Sequence, residues 1–177
     1  YGGEMVKEDY GVNDGWGGPR STSTLVQTIS TSDDRYAFFS EGANIENTDL
    51  SNFQDGYAVT KFTNLLSTDW ENIGKRAYPY PDTDFPIFRL ADTYLMYAEC
   101  AYRGYADQNL GFAYMNYIRE RAHVTPYSSI LDIDLNEIRD ERMRELYWEG
   151  HRRTDLIRFG EFTSGTYLWP WKGGVLG

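Results

Sequence analysis

The spacing of apolar residues changes character near Pro86. Before it, apolar side chains come in short runs broken by Gly, Asn, Asp, Ser and Thr; after it they recur every three or four residues, the period of a helix. In STLVQTIS, Leu25, Gln27 and Ile29 alternate with Val26 and Thr28, which predicts a strand. YAFFS (residues 36–40) and YAVTKF (57–62) are rich in aromatic and β-branched residues and predict two more strands. EGANIENTDLSNFQDG between them reads as a polar connection. Near the start, GVNDGWGGPR is loop-like, with Gly11, Gly15, Gly17, Gly18 and Pro19.

Beyond Pro86 a first helix is expected from about Arg89 to Arg103, stopped by Gly104. Leu90, Ala91, Tyr94, Leu95, Met96, Tyr97, Ala98 and Ala101 leave it few polar sides, so it should be largely buried. Asp107 can cap a second helix, Gln108 to about Ala122, with Leu110, Ala113, Tyr114, Tyr117 and Ile118 facing inward. So short a connection makes the two antiparallel, and together they span roughly one tetratricopeptide unit of about 34 residues. One unit cannot bury both its faces, so this stretch on its own is expected to be unstable. A long third helix starts at Asp134, where Asp134 and Glu137 have capping-box spacing. It carries Leu135, Ile138, Arg142, Leu146 and Glu149 at helical intervals before Gly150 breaks it. The expected fold is mainly α: a tetratricopeptide-like helix pair plus a long third helix. A loop-rich first part with short β-strands (1–85) precedes this helical scaffold (86–177), both within one domain.

The net charge of −10 argues against a nucleic-acid partner, which needs a basic footprint, and against direct attraction to an anionic membrane. One cysteine, Cys100, excludes an internal disulfide framework and a multi-cysteine metal site. Set mid-helix among apolar residues, it reads as a small core residue. Aromatic residues make up 16% of the chain, which fits a dense core or a binding surface. The chain opens without a methionine and stops at WKGGVLG, as expected of a piece of a longer polypeptide.

Chemistry concentrates in ERMRELYWEGHRRTDLIRFG, residues 141–160. Glu141, Glu145, Glu149 and Asp155 could supply the two carboxylates of a glycoside hydrolase. Such a pair must flank a cleft, which consecutive turns of one helix seldom offer. The favoured reading is structural: partly buried guanidinium forks bridging carboxylates of neighbouring helices. His123 and His151 have no metal-ligand spacing, and no Ser or Cys sits in a nucleophile elbow. No catalytic residue, metal ligand or cofactor is assigned. Trp148 is expected in the core; Trp169 and Trp171 pin a segment to the body, and Trp70 is undecided. Trp16 stands among glycines with Asn13, Asp14 and Arg20 nearby, where no periodic apolar face would absorb its ring. Its flat face suits a sugar ring and its neighbours suit hydroxyls; anchoring the loop is the other open reading.

Four segments carry a family resemblance. FPIFRLADTYLMYAECAYRG (85–104), AYMNYIRERAHV (113–124), IRDERMRELYWEGHRRTDLIRFG (138–160) and SDDRYAFF (32–39) lie in the order of the corresponding motifs of the SusD/RagB family. The chain resembles the C-terminal portion of these Bacteroidetes glycan-binding lipoproteins. YAVTKF with TYLWPWKGG resembles the starch-binding branch. Cys100 stands where the family pattern has Ala, and His123 where it has Gly. The resemblance implies a scaffold role for the charged helix and non-catalytic binding of oligosaccharide. It also implies a SusC-like TonB-dependent transporter as partner, and an outer-membrane surface location through a lipid anchor outside this chain. It makes Trp16, Asn13, Asp14 and Arg20 the candidate carbohydrate contacts. A glycoside hydrolase and a tetratricopeptide-type protein-binding scaffold remain the alternatives.

Overall fold

In a computed structural model of the chain, the residues described are 10–11, 20–49, 51–52, 55–64 and 83–163. The chain divides into two compact units: residues 1–27 with 37–85 and 169–177, and residues 28–36 with 86–168. The described residues are mostly helical, as the period beyond Pro86 predicts.

In the first unit, strand β1 (Phe38–Phe39) pairs antiparallel with β2 (Ala58–Val59), Phe38 opposite Val59 and Phe39 opposite Ala58. Both lie inside the segments expected to be strands. The strand expected across Leu25–Ile29 is instead helix α1 (Ser23–Thr28). Leu25, Val26 and Ile29 are buried, and their spacing falls on one helical face as readily as it alternates along a strand. The Leu25 and Val26 amides donate to the Thr22 carbonyl and settle the choice.

The second unit is built on helices α2 (Leu90–Tyr102), α3 (Gln108–Arg121), α4 (Leu135–Leu146) and α5 (Arg152–Arg158). Asp107 caps α3 by accepting from the Asn109 and Leu110 amides, and Asp134 caps α4 by accepting from Glu137. α2 and α3 run antiparallel. Gly111 lies against Ala98 and Ala101, Tyr114 packs edge-on to Tyr97 with centroids 5.1 Å apart, and it stacks on Tyr94 at 4.3 Å. A Cβ at Gly111 would sit 2.8 Å from that of Ala101, so the glycine sets the close approach of the pair.

The core joins Ala91, Leu95 and Ala98 of α2 to Met115 and Ile118 of α3, and both to Ile133, Ile138 and Leu146. On α3 the inward row is Gly111, Met115, Ile118 and Ala122. Leu110 and Tyr117, expected inside, are exposed, because the true row is offset by one residue. Leu90 and Met96 are also exposed, so α2 buries one face rather than most of its surface. Cys100 is exposed, not core: it projects from α2 opposite the Leu95–Ala98 face. Ile87, Phe88, Leu90 and Tyr117 leave apolar surface uncovered, and Leu90, Ala91, Tyr94, Tyr117, Ile118 and Arg121 line a recess of about 200 Å³.

Three helices end alike. Gly104 (φ +86°), His123 (φ +52°) and Gly160 (φ +73°) take the left-handed position after the C-cap. The amide two residues beyond each cap then reaches back: Tyr105 to Cys100, Val124 to Arg119, Glu161 to Leu156. His123 therefore occupies a site where a glycine carries no Cβ penalty. Trp148, expected in the core, follows α4 at φ +63° and is 45% exposed, because the left-handed turn swings it off the helix's buried face.

Gly104→Ala should cost about 1 kcal/mol in thermal unfolding, from backbone strain alone, since nothing lies within 4 Å of the added Cβ.

Candidate functional site

The charged stretch 141–160 turns inward. Glu141 is fully buried. Its Oε1 accepts from Arg35 at 2.6 Å, and its Oε2 from Arg144 at 2.7 Å and Arg119 at 3.4 Å. One turn on, Glu145 accepts from Arg89 at 2.5 Å, from Arg121 at 2.6 Å and from Arg35 at 3.3 Å. Glu149 receives a fork from Arg89, Nε at 2.6 Å and Nη2 at 2.8 Å, while Arg89 also donates to the Glu145 carbonyl at 2.6 Å. Arg142 bridges Asp92 on α2 and Asp155 on α5, each at 2.9 Å. Arg158 closes the far side, joining Asp155 at 2.7 Å to Glu99 at 2.5 Å.

This is the expected lattice of buried guanidinium forks, joining charged groups of 141–160 to arginines and acids elsewhere in the chain. Arg35 arrives from the turn before β1, where Asp33 grips it through Nε at 2.9 Å and Nη2 at 2.8 Å. Tyr147 then donates its hydroxyl to the Arg35 carbonyl at 2.8 Å. Tyr127, whose hydroxyl donates to Glu137 and whose ring lies 4.2 Å beneath the Arg119 guanidinium, completes the edge near α3.

The electrostatics run against acid chemistry. Burial alone would push the Glu141 carboxyl up, but the charges of Arg144 and Arg35 outweigh it and hold the group below the usual carboxylate range. Asp33 is treated likewise, burial raising it and Arg35 holding it down. Burial would lower Arg35 and Arg144, yet their carboxylate partners raise both. A general acid in glycoside hydrolysis needs the opposite shift, a carboxyl kept protonated near neutrality. Among the described residues no cluster of His, Cys, Asp and Glu is arranged to hold a metal ion.

Of the candidate carbohydrate contacts, Trp16, Asn13 and Asp14 lie outside the described residues, as do Trp70, Trp169 and Trp171. Arg20 is described: it is half-buried, and burial draws its guanidinium below its ordinary pKa. The structure holds firmly what flanks the Gly-rich loop. Asn64 donates its amide to the Tyr10 carbonyl at 2.9 Å and its side-chain Nδ2 to the Gly11 carbonyl at 3.0 Å. Ser21 donates to the Tyr57 carbonyl from its amide at 2.9 Å and its hydroxyl at 3.1 Å, and its own carbonyl accepts from Asn47 Nδ2 at 3.2 Å.

The Asn47 loop is in turn gathered around Asp55. That carboxylate accepts from Asn44 Nδ2 at 2.9 Å, Thr48 Oγ1 at 2.7 Å and the Asp49 amide at 2.8 Å, which together bring it down to about 2. Asn47, Asp55 and Asn64 carried no signal in the sequence, because backbone groups supply much of their bonding.

A model of the SusD family matches residues 7–174. The starch-binding protein SusD of Bacteroides thetaiotaomicron is 42% identical over 127 residues, which is 72% of this chain and 22% of that protein. The SusD-like protein P25 of Formosa agariphila is 46% identical over 79 residues, 42% of this chain and 15% of the relative. The chain thus spans about a fifth or less of the length of these curated relatives.

Glu141→Gln and Glu145→Gln should each destabilise by about 3–5 kcal/mol in urea unfolding, since each leaves buried guanidiniums uncompensated. A variant that kept its stability and lost a solution activity would overturn the scaffold role. The pH dependence has a definite sign. Glu141 and Asp33 have folded pKa values below their unfolded ones, about 4. Their contribution is full above that value and is lost as pH falls through the folded one. Unfolding measured at pH 7, 5 and 3 should show the loss only at the last, and less of it in Glu141→Gln.

Proposed function

The chain belongs to the SusD family, and on that premise we propose that the protein it contributes to binds a starch-like oligosaccharide without cleaving it and delivers it to a SusC-like TonB-dependent transporter. The 42% identity to a starch-binding protein over 127 residues carries the reading. The site chemistry agrees with it. The carboxylates of residues 141–160 are engaged by arginines and, at Glu141, held in the ionised form, so that helix lacks the protonated acid a hydrolase would use. A surface rich in acidic groups suits an uncharged ligand better than a polyanion. In this proposal the protein sits on the outer face of the outer membrane, held by a lipid anchor outside the present chain.

Trp16 is proposed as the stacking platform, with Asn13, Asp14 and Arg20 bonding hydroxyls. An indole covering one sugar face would remove apolar C–H surface from water at about 25 cal/mol per Å², or on the order of 1–2 kcal/mol per ring. Single contacts of that size give modest affinity, so capture needs several together.

In the full-length protein, titration with a maltooligosaccharide should give saturable heat with no new reducing ends. Release of reducing ends would favour a hydrolase, and absence of any saccharide affinity a protein-binding scaffold. Trp16→Ala should weaken the binding about tenfold, equivalent to about 1.4 kcal/mol, with little change in melting temperature. If Trp16 only anchors its loop, melting temperature falls and affinity follows unfolding alone.

A further inference from the structure

We propose that Trp148 is a further glycan contact, a stacking surface built by the helical unit alone. The inference rests on the reading of the protein as a binder of starch-like oligosaccharide, and it adds to that reading a residue which neither the helix period nor the family pattern singled out for sugar.

The backbone at Trp148 is unusual for so large a residue. After α4, Tyr147 (φ −59°, ψ 144°) and Trp148 (φ +63°) are the central residues of a turn that the Glu149 amide closes on the Leu146 carbonyl at 3.1 Å. These are the angles of a type II turn, whose third residue needs a positive φ and is most often glycine. A bulky residue there is strained, and such strain persists only where the surroundings enforce it. Gly150, two residues on, takes φ +81° and shows what the chain uses where a positive φ has no other demand on it.

The turn is enforced from both sides of the tryptophan. Tyr147 is buried and donates its hydroxyl to the Arg35 carbonyl at 2.8 Å. Glu149 is buried and takes the Arg89 fork at 2.6 and 2.8 Å, while Arg89 Nη2 also donates to the Glu145 carbonyl at 2.6 Å, in the last turn of α4. Between these two inward-facing neighbours Trp148 is 45% exposed. The ionic lattice thus fixes the backbone that carries an outward indole.

Among the described residues no ring packs on that indole and none accepts from its Nε1–H. An exposed indole face can cover the C–H face of a pyranose while Nε1 donates to a hydroxyl. The connection beside it presents exposed Gly150 and half-buried His151 in place of an apolar rim, which suits a flat ligand bearing hydroxyls better than an apolar helix. His151 heads α5 without a side-chain capping bond, so its imidazole is a second polar group in the same connection. A surface fixed before the ligand arrives loses little freedom on binding, and so favours affinity.

The test uses the full-length protein, hydroxyl-radical footprinting and maltoheptaose. Trp148 should be oxidised in the free protein and protected by saturating maltoheptaose. Tyr105, 85% exposed, is the internal reference for scavenging of radicals by the sugar itself. This measurement needs no variant. Trp148→Gly removes the ring and fits the turn; the folded variant should bind insoluble starch about fivefold more weakly, the loss of one partly exposed stacking face. Trp148→Phe keeps a flat ring and should lose less.

Oxidation of Trp148 that falls no further than that of Tyr105 when sugar is added overturns the contact. So does a Trp148 that resists oxidation in the free protein, since the indole then packs against another part of the longer chain. Unchanged starch affinity in Trp148→Gly overturns it as well. Wild-type binding without protection of Trp148 leaves the starch-like reading standing, whereas wild-type protein that binds neither sugar removes that reading and this contact with it.

Discussion

The helical unit depends on one buried carboxylate. Glu145 sits on the inward face of α4, and guanidiniums from Arg35, Arg89 and Arg121 converge on it from three separate parts of the chain. Hydrophobic contact is non-directional: Leu95, Met115, Ile138 and Leu146 would pack in several registers. A planar guanidinium fork accepts few geometries, so α4 is fixed both along and around its axis. The cost of desolvating so many charges means the lattice adds little net stability; its contribution is to the uniqueness of the packing. Glu141, one turn earlier on α4, and Glu149, in the turn after it, repeat the device with Arg144 and Arg89.

The same constraint explains the spacing of carboxylates in the sequence. One glutamate per turn on a buried face is untenable unless each meets an arginine: Arg144 of α4 itself reaches Glu141, while Arg35, Arg89 and Arg121 come from elsewhere in the chain. Arg35 is held by Asp33 two residues before it, and Arg89 is the N-cap residue of α2. Arg142 reverses the polarity, with the cation on α4 and the anions Asp92 and Asp155 on its neighbours.

What could be read from the sequence was what local physics writes there. Helix period, the Asp107 and Asp134 caps and the Gly104 stop are set by residues within a turn of each other, and they appear within a residue or two of expectation. The burial of Glu141 and Glu145 was anticipated, but not their partners, which lie 106 and 56 residues away. Cys100 and Trp148 were misplaced for two reasons. Apolar neighbours do not say which side of a helix is covered, and a left-handed residue after a helix breaks the period by which its direction is inferred. The strand assigned to Leu25–Ile29 failed because so short a segment satisfies both periods. Of the candidate sugar contacts only Arg20 falls within the described residues, and the bonds of Asn47 and Asn64 were invisible because a backbone carbonyl is an acceptor every residue offers.

Charge separates scaffold from candidate site. In the helical unit arginines are drawn inward to neutralise carboxylates, which leaves the acidic excess of the chain to its surface. The oligosaccharide proposed as ligand is uncharged, so a field of that sign would neither attract nor repel it, and its recognition would rest on shape, stacking and hydroxyl bonding. Those are short-range terms, each small, and they act only on groups already held in place. In the first unit neutral amides hold the Gly11 and Ser21 carbonyls, and Asp55 is kept ionised by the bonds of its own loop. The two units thus use directional bonds differently: in one, arginines hold buried carboxylates, and in the other, asparagine amides hold backbone carbonyls.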